Sequence, residues 1–214
     1  MFKTIFFDGN GVIYERDKSY CNDFFKEMGE KSGFKNTKEA FDLLNEGCKR
    51  GRYSRVEVFK KLLQITGLNG DAVKLEKEYF KLKAGSTSVI KEARPVIKEL
   101  KEKGLKLGIM SNSNFSGKER GEWLINNGVN EFDHVFTSSD FKATKLSPEF
   151  PLKAVKKIKC KTKEAILVSH KLSDFIGAML IGMDTMSIGV KLSTTYNVKS
   201  IKLIPSLLIK ENLI

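Results

Sequence analysis

The sequence predicts an α/β fold: a Rossmann-like parallel sheet core, interrupted after its first strand by an inserted all-helical cap domain. Three observations predict it. The chain opens on an apolar run, "TIFFDGNGV", in which β-type residues deliver Asp8 into a glycine-flanked turn. Residues 14 to 85 then carry apolar side chains at helical spacing. Beyond about residue 88, strand-like and helix-like segments alternate, the pattern of βαβ units and a parallel sheet.

Each element follows from its residues. Residues 2 to 7 read as a strand because they are aromatic and β-branched. In the helical stretch, Phe24, Phe25 and Met28 share a face, as do Phe41 and Leu44, and Val58, Phe59, Leu62 and Leu63. Ser54 reads as an N-cap, and no strand is expected between Tyr14 and Gly85. After "KAGSTS", a helix from about Arg94 to Lys103 stops at Gly104, a C-cap residue. "LKLGIMSNSN" is a strand ending in small polar residues, and a helix over about Gly117 to Asn127 leads to the strand "HVFTSS". "SPEFPLKAVKKI" is helical from about Pro148, with Pro151 tolerated in the first turn. "EAILVSH" is a strand, "SDFIGAMLIG" a helix and "DTMSIGV" the last core strand. The expected division is a core of residues 1–13 and 89–214 with a cap of residues 14–88.

Composition narrows the function classes. The chain has 214 residues, 41% hydrophobic and 30% charged, enough for a full core. Its longest apolar runs are too short to cross a bilayer, and "MFKTIFFDG" lacks the features of a secretory signal. A cytoplasmic protein without a membrane partner is expected. Three cysteines with no C-x-x-C pair, and two histidines, argue against a disulfide framework or a zinc site. The net charge of +12 comes from lysines spread along the chain. Its densest cluster, "KKIKCKTK", has no interleaved aromatic to stack bases, so nucleic acid is not expected as a partner.

In an open α/β sheet, ligands bind beyond the carboxyl ends of the strands. Four such ends carry chemistry here: Asp8 after the first, Ser111 and Asn112 after the second, Lys145 on the loop after the third, and Ser169, His170 and Asp174 after the fourth. A carboxylate nucleophile, a hydroxyl and amide to hold an anion, a lysine to balance charge and a distal carboxylate form one coherent set. Taken singly, Ser111 and Asn112 also suit helix capping, and Asp174 suits the first turn of the helix at "FIGAML".

These four loops resemble the motifs of the haloacid dehalogenase-like hydrolase superfamily, whose members are mostly phosphatases. Asp8-Gly9-Asn10-Gly11-Val12 is similar to its Asp-x-Asp-x-Thr/Val motif except at Asn10. "IMSNSN" resembles the second motif, "KLSPEF" the third and "ILVSHKLSDFIGAMLIGM" the fourth, with Ser169-His170 in place of the usual Gly-Asp. The resemblance implies Asp8 as nucleophile, Asn10 at the acid–base position, Lys145 as counter-charge, and Ser111, Asn112 and Gly9 around a small, phosphorylated substrate. It also implies Mg²⁺ held by the Asp8 carboxylate, the Asn10 backbone carbonyl, Asp174 and waters.

Two departures bear on activity. An amide at Asn10 exchanges no proton near neutral pH, which removes acid–base help of roughly 10²–10⁴ in rate. His170 brings an imidazole, a poor Mg²⁺ ligand, into the fourth motif, where it reads as a neutral occupant of the lost carboxylate's place. The expected function is low-level or specialised phosphoester hydrolysis through an aspartyl intermediate. Two alternatives stay open. One is a 2-haloacid dehalogenase-like hydrolase without metal, whose Ser-Ser-Asn-x-x-Asp motif "VSHKLSDFIGA" resembles. The other is an inactive module that binds a phosphorylated ligand or a protein.

Overall fold

The computed structural model of the chain describes all 214 residues. In chain order the elements are β1 (Thr4–Asp8), β2 (Tyr14–Arg16), α1 (Ser19–Ser32), α2 (Thr37–Lys49), α3 (Arg55–Thr66), α4 (Ala72–Gly85) and β3 (Thr87–Val89). There follow α5 (Ala93–Glu102), β4 (Lys106–Ser111), α6 (Gly117–Asn126), β5 (His134–Thr137), α7 (Ser138–Phe141) and α8 (Glu149–Ile158). The chain closes with β6 (Ala165–Ser169), α9 (Leu172–Leu180), β7 (Asp184–Ile188), β8 (Tyr196–Val198) and α10 (Ile204–Lys210). Two compact units result: Met1–Glu15 with Val89–Ile214, and Arg16–Ser88. The chain passes from one to the other within β2 and β3, which pair as a two-stranded sheet.

The first unit is built on a six-stranded sheet in the order β5-β4-β1-β6-β7-β8, with every neighbouring pair parallel. All five residues of β1 are buried, as a central parallel strand covered on both faces requires. Alternation then sorts its side chains. Ile5 and Phe7 join the core formed with Val96, Ile97 and Leu100 of α5 and Leu208 of α10. Phe6 joins the opposite one, with Phe150 and Ala154 of α8 and Phe175 and Ala178 of α9. From β1 the chain steps outward through β4 to β5, then returns to place β6 on the other side. The order reverses between β1 and β6, which makes their carboxyl ends the switch point where ligands of such sheets bind.

The second unit holds four helices around a ring cluster. Phe25 and Phe41 lie 4.5 Å apart, and Phe41 lies 4.8 Å from Tyr79 and 5.6 Å from Phe59, centroid to centroid. Burial of each such ring contributes about 1.5–3 kcal/mol. Ser54 caps α3 as the sequence suggests: its side chain accepts the Glu57 N–H while the Glu57 carboxylate accepts the Ser54 N–H. Glu76 is nearly buried and paired with Arg55 at 2.7 Å, and the Arg55 guanidinium also stacks 4.3 Å from the Phe80 ring.

Five differences from the sequence reading have simple causes. β2 opens a stretch in which no strand is expected, its partner β3 is likewise unpredicted, and β8 adds a sixth strand to the main sheet beyond "DTMSIGV". All three have three residues, too few to show a period of two. "HVFTSS" divides, its two serines starting the single turn α7. α10 begins beside Pro205 in a run whose apolar content alone does not separate helix from strand. No helix is long and apolar enough to cross a membrane.

Candidate active site

Each candidate residue is delivered by a short piece of backbone whose geometry the sequence specifies. Asp8 is the last residue of β1, and the chain leaves it through a self-closed turn. The Gly9 carbonyl accepts the Ile13 and Tyr14 N–H groups at 2.9 and 3.0 Å, and the Gly11 N–H donates to the Tyr14 carbonyl at 2.7 Å. Gly11 has φ of +87°, and a side chain there would lie 2.6 Å from the His170 ring. Glycine is thus required twice over at that position. Asn10 forms a backbone bridge with Tyr14, and its side-chain oxygen is buried without a hydrogen-bond partner.

Lys145 is the centre of the site. It is buried, and its Nζ donates to Asp8 Oδ1 at 2.5 Å and lies 3.0 Å from Asp174 Oδ2. The same Asp174 oxygen accepts a hydrogen bond from Ser169 Oγ at 2.7 Å. Asn112 Oδ1 accepts the Lys145 backbone N–H at 2.9 Å, so this amide fixes the lysine's loop. On the other side, the Gly177 N–H donates to the Lys145 carbonyl at 3.1 Å. A side chain at Gly177 would come within 2.3 Å of that carbonyl and 2.4 Å of the Ser147 carbonyl. The small residues of "FIGAML" therefore let α9 approach the lysine loop.

Ser111 ends β4, buried, with its Oγ 3.4 Å from Tyr14 Oη. Neither Ser111 nor Asn112 caps a helix. That task falls to Ser116, whose side chain accepts the Glu119 N–H at the start of α6. Asp174 sits in the first turn of α9 but turns inward to Ser169 and Lys145. His170, half-buried, places Nδ1 3.8 Å from Asp8 Oδ2, and that nitrogen has no hydrogen-bond partner.

The electrostatics follow from this packing. Burial raises the Asp8 carboxyl above its usual range, against the pull of the Lys145 ammonium. Burial lowers Lys145, but the Asp8 and Asp174 carboxylates outweigh it and hold the ammonium above its usual value. Burial also holds His170 below the ordinary histidine value, outweighing the Asp8 carboxylate. The site is a buried Asp8–Lys145–Asp174 chain, with an imidazole beside it whose neutral form burial favours. Asp8 Oδ1 is committed to the lysine, while Oδ2 is the oxygen nearer His170.

Sequence reasoning passed over Tyr14 and Arg120. Arg120 is buried, its guanidinium 4.6 Å from the rings of Tyr14 and Phe115 and 5.1 Å from Trp123. This stack backs the Tyr14 ring, whose hydroxyl reaches Ser111. An aromatic closing the turn after Asp8 is the available signal for Tyr14, whereas nothing in residue type sets Arg120 apart from the chain's other cations. A groove of about 680 Å³ is lined by Asp140, Phe141, Lys153, Lys156 and Lys157, and none of the Asp8 cluster belongs to it.

Residues 2–181 match the family model of haloacid dehalogenase-like hydrolase. The chain belongs to the haloacid dehalogenase-like hydrolases. Comparison with curated protein sequences gave no match. Among solved structures, a 2-haloacid dehalogenase from Pseudomonas syringae pv. Tomato is 19% identical, with 99% of this chain and 100% of that one covered and a TM-score of 0.75. L-2-haloacid dehalogenase from Xanthobacter autotrophicus, with chloropropionic acid covalently bound, is 16% identical over 98% and 99%, with a TM-score of 0.68. A haloacid dehalogenase family enzyme from Bacteroides thetaiotaomicron, in complex with magnesium and inorganic phosphate, is 18% identical over 90% and 98%, with a TM-score of 0.70. At these identities the likeness establishes the fold.

Magnesium, which some of these structures carry, can be tested against the donors of this hydrolase. No three His, Cys, Asp or Glu side chains gather to hold a metal ion. Asp8 Oδ1 and Asp174 Oδ2 both serve the Lys145 ammonium, and Asp174 Oδ2 also serves Ser169. Beside the remaining Asp8 oxygen stands an imidazole nitrogen, a poor partner for a hard cation that prefers oxygen. The residues present do not fit Mg²⁺: Asp8 and Asp174 serve Lys145 in place of a metal.

Proposed function

We propose that this family member is a metal-independent hydrolase that forms a covalent ester on Asp8. The observation that carries the reading is the position of the Lys145 ammonium, 2.5 Å from Asp8 Oδ1 and 3.0 Å from Asp174 Oδ2. A fixed cation on one carboxylate oxygen leaves the other, Oδ2, free to attack, and holds Oδ1 where negative charge develops when the ester is later opened.

The substrate class follows from what is missing. Asn10 cannot protonate a departing group, so that group must leave as a stable anion. A halide on the carbon next to a carboxylate meets this requirement. The haloacid dehalogenases named above support this choice, as does the Ser169–Asp174 hydrogen bond within "SHKLSD". In the first step Oδ2 displaces halide from carbon, the carbon–halogen bond breaking with its electron pair. In the second, water opens the Asp8 ester and releases a hydroxy acid. Tyr14, backed by Arg120, positions the Ser111 hydroxyl at the neighbouring strand end.

Phosphoester hydrolysis is the second reading. It is favoured by the buried Ser111 hydroxyl and by a related structure holding magnesium and phosphate. The two readings part in one experiment on metal-stripped protein. Halide release from 2-chloropropionate in chelator, abolished by Asp8→Asn, supports the first. Phosphate release from an aryl phosphate that requires Mg²⁺ supports the second and contradicts the first.

A further inference from the structure

The Asp8 ester must be opened by water, and a phosphatase-type loop would activate that water from the position held here by Asn10. No proton acceptor stands there. One does stand on the next strand end. His170 Nδ1 is buried, has no hydrogen-bond partner and faces Asp8 Oδ2 across 3.8 Å. That gap is too long for a direct hydrogen bond. A buried ring nitrogen without a partner is costly and calls for one. A water admitted beside the Asp8 carboxyl during turnover would give that nitrogen the partner it lacks and bring an oxygen to Asp8 Cγ. The ring is kept in place by close packing on Gly11, the one residue type that its position admits.

We infer that His170 holds and activates the water that hydrolyses the Asp8 ester, replacing the acid–base residue absent at Asn10. The inference rests on the covalent reading above. The step balances within the site. Water oxygen attacks Asp8 Cγ and one of its protons passes to His170 Nδ1. Negative charge collects on Oδ1 beside Lys145 Nζ. The Cγ–Oδ2 bond then breaks, and Oδ2 leaves on the product as a hydroxyl, taking the proton back from His170. Asp8 keeps Oδ1 and the water's oxygen, and releases the remaining proton to solvent. The charged groups around the imidazole are Asp8, Asp174, Lys145 and Lys171. The two carboxylates favour its transient positive charge, and only one of the two ammonium groups, Lys145, is buried.

The first step needs no base, so the inference separates the two halves of the reaction. The experiment is rapid mixing of His170→Ala with 2-chloropropionate, with halide release and the mass of the Asp8 peptide followed together. Expected is a burst of about one halide per protein, an Asp8 peptide carrying the substrate residue, and a steady rate lowered roughly 10²–10⁴-fold. Imidazole added to the solution should restore turnover, a rescue that a merely structural histidine would not show. A variant that turns over like the wild type, or one slowed with no accumulated ester and no imidazole rescue, overturns the assignment to His170 while leaving Asp8 chemistry standing. Absence of any Asp8 ester in both wild type and variant overturns the covalent reading and this role with it.

Discussion

Lys145 Nζ lies 2.5 Å from Asp8 Oδ1, with 2% of the lysine side chain and 8% of the aspartate side chain exposed. Two residues 137 positions apart in sequence thus form a buried ion pair at the switch point of the sheet. The pair costs desolvation on both sides, and Asp174 and Ser169 help offset it. Lys145→Met leaves Asp8 facing Asp174 with no cation between them. Stability should fall by about 3–5 kcal/mol, the usual cost of stranding a buried charge, and turnover should be lost. Urea unfolding of Lys145→Met beside the double variant Lys145→Met/Asp174→Leu checks this. Removing the second charge should recover part of the loss, because stranded charge is its cause.

Gly177→Ala tests the approach of α9 to the lysine loop. The added methyl would meet two backbone carbonyls, those of Lys145 and Ser147, neither of which can rotate away as a side chain would. The loop must shift, at about 1–3 kcal/mol. A misplaced Lys145 costs turnover as well, on the order of 10²-fold for a displacement near 1 Å. Thermal unfolding and halide-release kinetics on the same preparation read both effects. Equal stability and equal rate would contradict the packing described.

Asp133 gives the fold a pH dependence outside the site. Burial pushes its carboxyl up, but Lys101 at 2.6 Å and the Leu107 N–H at 2.8 Å outweigh that and hold it below the usual aspartate value. A depressed folded-state pKa contributes stability above the unfolded value, and that stability is lost as pH falls through the folded one. Asp133→Asn should therefore reduce the loss of stability on acidification while lowering stability at neutral pH. Urea midpoints at pH 7 and in the acid range of Asp titration measure the difference.

Much of the core site was legible because its residues follow apolar strands: a strand end must stop somewhere, and Asp8, Ser111 and Ser169 stand where the burial ceases to be apolar. Lys145 could be picked out of 38 lysines and arginines only by its place before "SPEF". Facing relationships were not legible. That His170 Nδ1 points at Asp8 depends on the β1–β6 register, which pairs Phe7 with Val168, and on Gly11 leaving room for the ring. Neither leaves a mark in residue type at position 170. Asn112 is expected to hold an anion; its side-chain oxygen also accepts the Lys145 backbone N–H, a task many polar residues perform and residue type does not reveal. β2, β3 and β8 are not legible because three residues carry no periodicity.

Single turnover in water enriched in heavy oxygen, with protein in excess over 2-chloropropionate, tests covalent chemistry at Asp8 most directly. If Oδ2 leaves with the product and water refills the carboxyl group, the first hydroxy acid formed carries light oxygen and the Asp8 peptide gains the heavy isotope. Heavy oxygen appearing in that first product, with Asp8 unlabelled, would mean that water attacks the substrate itself and that no Asp8 ester is formed.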